Sequence, residues 1–205
     1  MPHSREPLTI GVLALQGAVR PHQKHIEATG AQFTPVKTQD DLDHIDGLII
    51  PGGESTTMLK LIDRFGLEDT LTSFFQKKPA WGICAGAILM AGHVTNPTQK
   101  SFGVLPMTVR RNGYGRQLES HYSYIDGYEV AFIRAPVIED PGKTEILARH
   151  GNDPVWVQNG CHMATTFHPE LNPDTPSPMH RRFTDIVHHA TSPGANELNK
   201  MQSMA

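Results

Sequence analysis

The feature that most constrains the fold of this 205-residue chain is a regular alternation, in its first half, of short apolar runs with segments of helical character. Leu8 to Leu15 (LTIGVLAL) is almost continuously apolar and is stopped by Gln16-Gly17, the pattern of a strand buried on both faces. Ala18 to Thr29 then reads as a helix ending near Gly30. Gln32 to Lys37 and Gly47 to Ile50 read as the next two strands, and the latter is stopped by Pro51-Gly52-Gly53. Helices are predicted over Ser55 to Phe65 and around Leu67 to Gln76. A fourth buried strand spans Ala80 to Ile83, and a helix spans Ala85 to Ala91. Alternating strands and helices imply a mostly parallel sheet covered by helices on both faces. Such sheets bind ligands beyond the carboxyl ends of their strands.

The second half changes character. Phe102 to Arg110, Gln117 to Tyr124, Tyr128 to Arg134, Glu145 to His150, Val155 to Val157 and His162 to Phe167 are predicted as shorter strands separated by Gly, Pro and Asn turns. A last helix is predicted over Met179 to Ala190. Residues 1–191 read as one domain, and 192–205 as a polar tail expected to be disordered.

Composition narrows the function classes. A net charge of −3, from 18 basic and 21 acidic residues, leaves no basic footprint for nucleic acid or a membrane surface. No long apolar run or leader pattern is visible, so a cytoplasmic location is expected. The two cysteines, Cys84 and Cys161, make no disulfide framework. The twelve histidines show no zinc-finger spacing. His22 and His25 stand three apart on the first helix and read as a solvated or partner-facing surface; no metal and no cofactor is expected.

Three local patterns can carry chemistry. Gly82-Ile83-Cys84-Ala85-Gly86 is the cysteine form of a nucleophile elbow. A strand turns sharply into a helix, the thiol sits at the strained turn, and glycines on either side remove Cβ atoms that would clash. The helix N-terminus favours an anionic nucleophile, and the Ala85 amide can donate to an oxyanion. The plainer reading is a small buried core cysteine. Thr166-Phe167-His168-Pro169-Glu170 supplies a base and its orienter, because residues i and i+2 of an extended segment share a side. It can also be a surface turn. Pro51-Gly52-Gly53-Glu54-Ser55 can bring backbone N–H groups to a ligand, with Gly53 completing an oxyanion hole, or can be a turn with a helix cap. It lacks the G-K-[ST] ending of a phosphate loop. Cys161 has no elbow around it and reads as a packing residue.

Together, P-G-G after one strand, G-x-C-x-G after a later one and H-P-E near the end resemble the class I, triad glutamine amidotransferases. More narrowly, the chain resembles the family of glutaminase subunits of pyridoxal 5′-phosphate synthase. That resemblance rests on IGVLALQGA (Ile10 to Ala18), PGGESTTM (Pro51 to Met58), WGICAG (Trp81 to Gly86), Arg111-Asn112 with Tyr114-Gly115-Arg116-Gln117, FIRAP (Phe132 to Pro136) and FHPEL (Phe167 to Leu171). It runs from about Leu8 to Ala190.

The resemblance implies a three-layer α/β, flavodoxin-like amidotransferase domain with extra short strands in its second half. It implies a Cys84–His168–Glu170 triad that hydrolyses L-glutamine, contacts to glutamine from Gly53, Glu54, Ser55, Arg111, Ile133 and Arg134, and a barrel-fold synthase subunit as partner in a hetero-oligomer. Two other readings stay open at this point: a glutaminase subunit serving another amidotransferase, as in histidine biosynthesis, and a protease-like or non-enzymatic relative on the same sheet. Members of the last group can lack the H-P-E pair, which is present here.

Overall fold

A computed structural model describes residues 7–113 and 120–192. Its central sheet has seven strands: β1 (Thr9–Leu13), β2 (Gln32–Val36), β3 (Gly47–Ile50), β4 (Ala80–Ile83), β10 (Glu145–His150), β11 (Asp153–Asn159) and β12 (His162–Thr165). Their order is β10-β11-β12-β4-β3-β1-β2. The five strands from β12 to β2 run parallel, while β10 and β11 extend the β12 side as an antiparallel meander. Beside this sheet lie a three-stranded sheet of β5 (Ala91–Thr95), β6 (Leu105–Arg110) and β9 (Val137–Asp140), and a hairpin of β7 (His121–Ile125) and β8 (Tyr128–Phe132). The mostly parallel sheet with added short strands agrees with the expected fold class.

Strand periodicity sorts the apolar side chains into two cores. Ile10, Val12, Ile49, Trp81, Ile83 and Met163 point to one face, where they meet Ile26 of α1 (Pro21–Glu27) and Phe183 and Val187 of α6 (Pro178–Thr191). Leu13, Leu48, Ile50, Ala80 and Ala164 point to the other. There they pack with α2 (Gln39–Asp43), α3 (Ser55–Arg64), α4 (Glu68–Phe75) and α5 (Ala85–Met90). Burial on both faces explains why the central strands are apolar throughout rather than alternating.

Several expectations needed adjustment. The first helix starts at Pro21, not Ala18: proline fits the first helical position, and the Ala18 amide is committed to Gly52 O at 3.1 Å. Helix α2, with a capping box between Thr38 and Asp41, and strands β5 and β9 were not anticipated. The start of the predicted strand Gln117 to Tyr124, the Tyr114–Gln117 part of the family motif and all of the predicted tail beyond Ser192 lie outside the described residues. Among the described residues no helix is long and apolar enough to cross a membrane.

The topology has one decisive consequence. β12, β4 and β3 are neighbours in the sheet and all run the same way. The segments leaving their carboxyl ends are His168-Pro169-Glu170, Cys84 and Gly52-Gly53. Neighbouring strands lie about 4.8 Å apart, so three patterns far apart in sequence emerge side by side.

Candidate active site

Cys84 is the residue between β4 and α5, with φ 49° and ψ −101°. A non-glycine residue in this region is strained, and such strain persists only where the surroundings enforce it. Here its amide donates to Thr165 O of β12 at 2.8 Å, and its carbonyl accepts from Ile88 of the helix. The flanking glycines are sterically required. A Cβ on Gly82 would stand 2.5 Å from Gly86 O, and one on Gly86 would collide with Ile50 O of β3. The elbow expected from the sequence is therefore present, with the thiol at the carboxyl end of the central strand β4 and 3.8 Å from Ile133 O.

His168 and Glu170 sit beside it. Nδ1 of His168 lies 2.8 Å from Oε1 of Glu170. The backbone of His168 pairs with Ala131 of β8, so the hairpin strand holds the imidazole and carries Ile133 and Arg134 to the same place. Burial alone would lower the His168 pKa. Hydrogen bonding to Cys84 and Glu170, and their charges, overcome burial and raise it to about 10. Glu170, fully buried, is held below the usual carboxylate range. Burial opposes its ionisation, and the positive charge of His22 when protonated, followed by the His168 hydrogen bond and charge, more than offset it.

A cavity of ≈ 310 Å³ opens over these groups. Gly53, Glu54, Ser55, Cys84, Ala85, Arg111, Ile133, Arg134 and His168 all line it, so every residue expected at the catalytic and glutamine site reaches it except Glu170, which stands behind His168. Gly17, Ala18, Gly52, Ile88, Asn112 and Leu171 line it as well. Three lining residues other than glycine, Cys84, Asn112 and Arg134, have positive φ. Gly52 is needed for close approach: a Cβ there would overlap the His168 ring.

Gln16 is a supporting residue that the sequence reading did not single out. Its Oε1 accepts the Glu54 amide at 2.8 Å and so fixes the Gly52-Gly53 loop. The only signal for it was its place in the I-G-V-L-A-L-Q-G segment. Gln99 likewise accepts the Ser55 hydroxyl at 2.9 Å. Glu54 Oε1 accepts from Thr56 at 3.0 Å and from Arg111 Nη2 at 3.4 Å, placing a cation and a carboxylate together at the cavity wall. That pairing suits a ligand with both an ammonium and a carboxylate.

Two other sequence readings resolve differently. Cys161 is partly buried away from the cavity, its Sγ 3.7 Å from His162 Nε2, and burial pushes its thiol pKa up. His22 and His25 do not form a solvated or partner-facing surface: both are fully buried, against α6 and the segment carrying Glu170. The spacing of polar residues on a short helix could not show that its inner face packs on other polar groups.

Fold and site together define a class I glutamine amidotransferase-type domain. Residues 12–188 match the SNO glutamine amidotransferase family. A protein of Koribacter versatilis named pyridoxal 5′-phosphate synthase subunit PdxT is 45% identical over 192 residues, covering 90% of this chain and 98% of that protein. The protein of the same name from Thermotoga neapolitana is 42% identical over 189 residues, covering 88% of this chain and 100% of its own length. A crystal structure of a glutamine amidotransferase superposes with a TM-score of 0.80 at 39% identity, over 87% of this chain and 98% of that one. The chain belongs to the SNO glutamine amidotransferase family.

Proposed function

We propose that this chain is the glutaminase subunit of a pyridoxal 5′-phosphate synthase, hydrolysing L-glutamine to L-glutamate and ammonia through Cys84, His168 and Glu170. The observation that carries the reading is the meeting of the elbow thiol, the His168–Glu170 pair and the Gly53 loop at one cavity of amino-acid size.

Cys84 Sγ attacks the carboxamide carbon of glutamine. The oxyanion is met by the Gly53 and Ala85 N–H groups, and the C–N bond breaks as His168 gives a proton to the departing ammonia. The γ-glutamyl thioester is then hydrolysed by a water that His168 deprotonates, which releases glutamate and restores the thiol. Glu170 stays ionised and orients the imidazole. Glu54, Ser55, Arg111, Ile133 and Arg134 bind the amino-acid end and the amide.

Ammonia loses its nucleophilicity when protonated in bulk water, so the product is passed to a docked synthase subunit. The relatives' shared name favours pyridoxal phosphate synthesis as its destination over an alternative such as histidine biosynthesis. The partner is a barrel-fold subunit in a cytoplasmic hetero-oligomer, and the amidotransferase domain comprises residues 1–191.

The test is glutamate release from glutamine, measured with and without the synthase subunit. Activity is expected for the unaltered chain in the complex and its loss for Cys84→Ala. Retained activity in Cys84→Ala would remove the triad assignment.

A further inference from the structure

Behind Glu170, away from the cavity, lie three histidines that the mechanism does not use. His22 and His25 are 0% exposed and His180 is 1% exposed. His25 and His180 stack with centroids 4.5 Å apart, and Trp81 meets His180 edge-on. Among the described residues no group of three or more His, Cys, Asp or Glu is arranged to hold a metal ion. The cluster is therefore read through its hydrogen bonds, and these fix where its protons reside.

His25 is determined first. The backbone amide of Ser177 donates to its Nδ1 at 3.1 Å, so that nitrogen carries the lone pair. The proton is then on Nε2, which donates to the backbone carbonyl of Glu170 at 3.3 Å. His25 thus ties α1 to the main chain of the catalytic segment.

The second chain starts at the same serine. Ser177 Oγ accepts the His180 amide at 3.1 Å as the cap of α6, and lies 2.6 Å from Nδ1 of His180. His180 Nε2 lies 2.9 Å from Nδ1 of His22. His22 Nε2 then lies 4.0 Å from Glu170 Oε1. Two proton orders satisfy the inner bonds. If Ser177 donates its hydroxyl proton to His180, then His180 donates to His22, and the His22 proton is left on Nε2, facing Glu170. If the order is reversed, the lone pair of His22 Nε2 faces a buried carboxylate. His22 Nε2 and Glu170 Oε2 are both buried with no hydrogen-bond partner among the described residues. The first order sets a donor dipole toward that anion, and the second sets two acceptors against each other in a fully buried site.

We propose that His22 is a positioning residue for the triad: Ser177 and His180 hold it in the Nε2–H tautomer, and its N–H dipole keeps the Glu170 carboxylate ionised and turned toward His168. This rests on the assignment of Cys84, His168 and Glu170 as the triad. His22 does not line the cavity, so its effect falls on the chemical step rather than on glutamine binding.

Nitrogen-15 NMR of the histidine-labelled, unaltered chain reads the tautomers directly. The expected spectrum has Nε2 protonated and Nδ1 bare in both His22 and His180; protonation of His22 at Nδ1 overturns the proposal. In the complex with the synthase subunit, His22→Leu is expected to lower kcat about tenfold to hundredfold, with the KM for glutamine unchanged. His22→Gln, which keeps an N–H donor, should recover most of that loss. In a Glu170→Gln background His22→Leu should cost nothing further. A merely structural role predicts equal losses in both backgrounds, and that result, or an unchanged kcat in His22→Leu, refutes the proposal. If His22→Leu does not fold, the tautomer spectrum and His22→Gln decide the matter. Failure of the triad itself would show separately, as activity retained in Cys84→Ala.

Discussion

His168 Nδ1 lies 2.8 Å from Oε1 of Glu170, and the two groups differ in what they touch: the imidazole borders the cavity, whereas the carboxylate is sealed from solvent. In the proposed mechanism Glu170 therefore acts on the substrate only through His168. Glu170→Gln keeps the shape but removes the charge, and an amide can present N–H to Nδ1 and so favour the wrong tautomer. The expected result is a fall in kcat of about 10²- to 10⁴-fold, by analogy with triads that lose their carboxylate, with the KM for glutamine little changed. Steady-state glutaminase kinetics of the complex check this. A rise in KM at constant kcat would mean that Glu170 contacts the ligand.

The pattern of residues 80–86 offers Cys84 as an elbow residue beside the plainer reading of a core cysteine, because an elbow's steric demands fall on near neighbours: Gly82 and Gly86 are adjacent to the turn that requires them. The His168–Glu170 pair was legible for the same reason, being two residues apart. The adjacency of these groups to Gly52-Gly53 was legible only through the inference of a parallel sheet, since it depends on the order β12-β4-β3. What the sequence hid is non-local and polar. Gln16 reaches the Glu54 amide across 38 positions, and His22 meets His180 across 158. A buried histidine paired with another has the same sequence signature as a solvated one. Strands β5 and β9 flank β6 in a small side sheet and carry no long apolar run, so their pattern does not stand out.

Gly52 offers a steric test of the juxtaposition. A Cβ at this position would fall on Cε1 of His168, and the backbone of the loop is pinned on its far side by the Ala18 amide. The ring must move, and in the proposed mechanism it is the ring that serves Cys84. Gly52→Ala is expected to lower kcat about a hundredfold through this misplacement, at a cost in stability of roughly 1–3 kcal/mol. Kinetics in the complex and a denaturant melt check the two halves. Unchanged kcat would show that the imidazole does not need this position.

Arg111 and Glu54 form a loose pair at the cavity wall, 3.4 Å apart, with Glu54 partly exposed. Such a pair contributes about 0–1 kcal/mol to folding, and under the proposed function it meets the charged groups of glutamine. Arg111→Met should leave the melting temperature nearly unchanged and raise the KM for glutamine about tenfold or more, the loss of one charge-assisted contact. Titration of glutamine in the kinetic assay measures this, and an unchanged KM would remove Arg111 from the binding set.

The buried histidines, together with the depressed Glu170 carboxylate, weaken the fold in acid. Burial lowers the pKa of His22 from 6.5 to about 4, with opposing help from the Glu170 charge, and burial also lowers those of His25 and His180. A depressed histidine binds fewer protons folded than unfolded, so stability falls as pH drops below about 6.5 and levels off for His22 below about 4. For His22 alone the loss is about 3 kcal/mol across that window. His168 behaves in the opposite way. Its pKa is raised to about 10, so its contribution is complete below about 6.5 and is lost as pH rises through 10. Unfolding by denaturant at a series of pH values should therefore show a maximum near pH 6.5, with stability falling on both the acid and the alkaline side. His22→Leu should flatten the acid slope and leave the alkaline one, because leucine has no proton to gain on unfolding. An acid slope as steep in His22→Leu as in the unaltered chain would assign it to other groups, with His25 and His180 the next to replace.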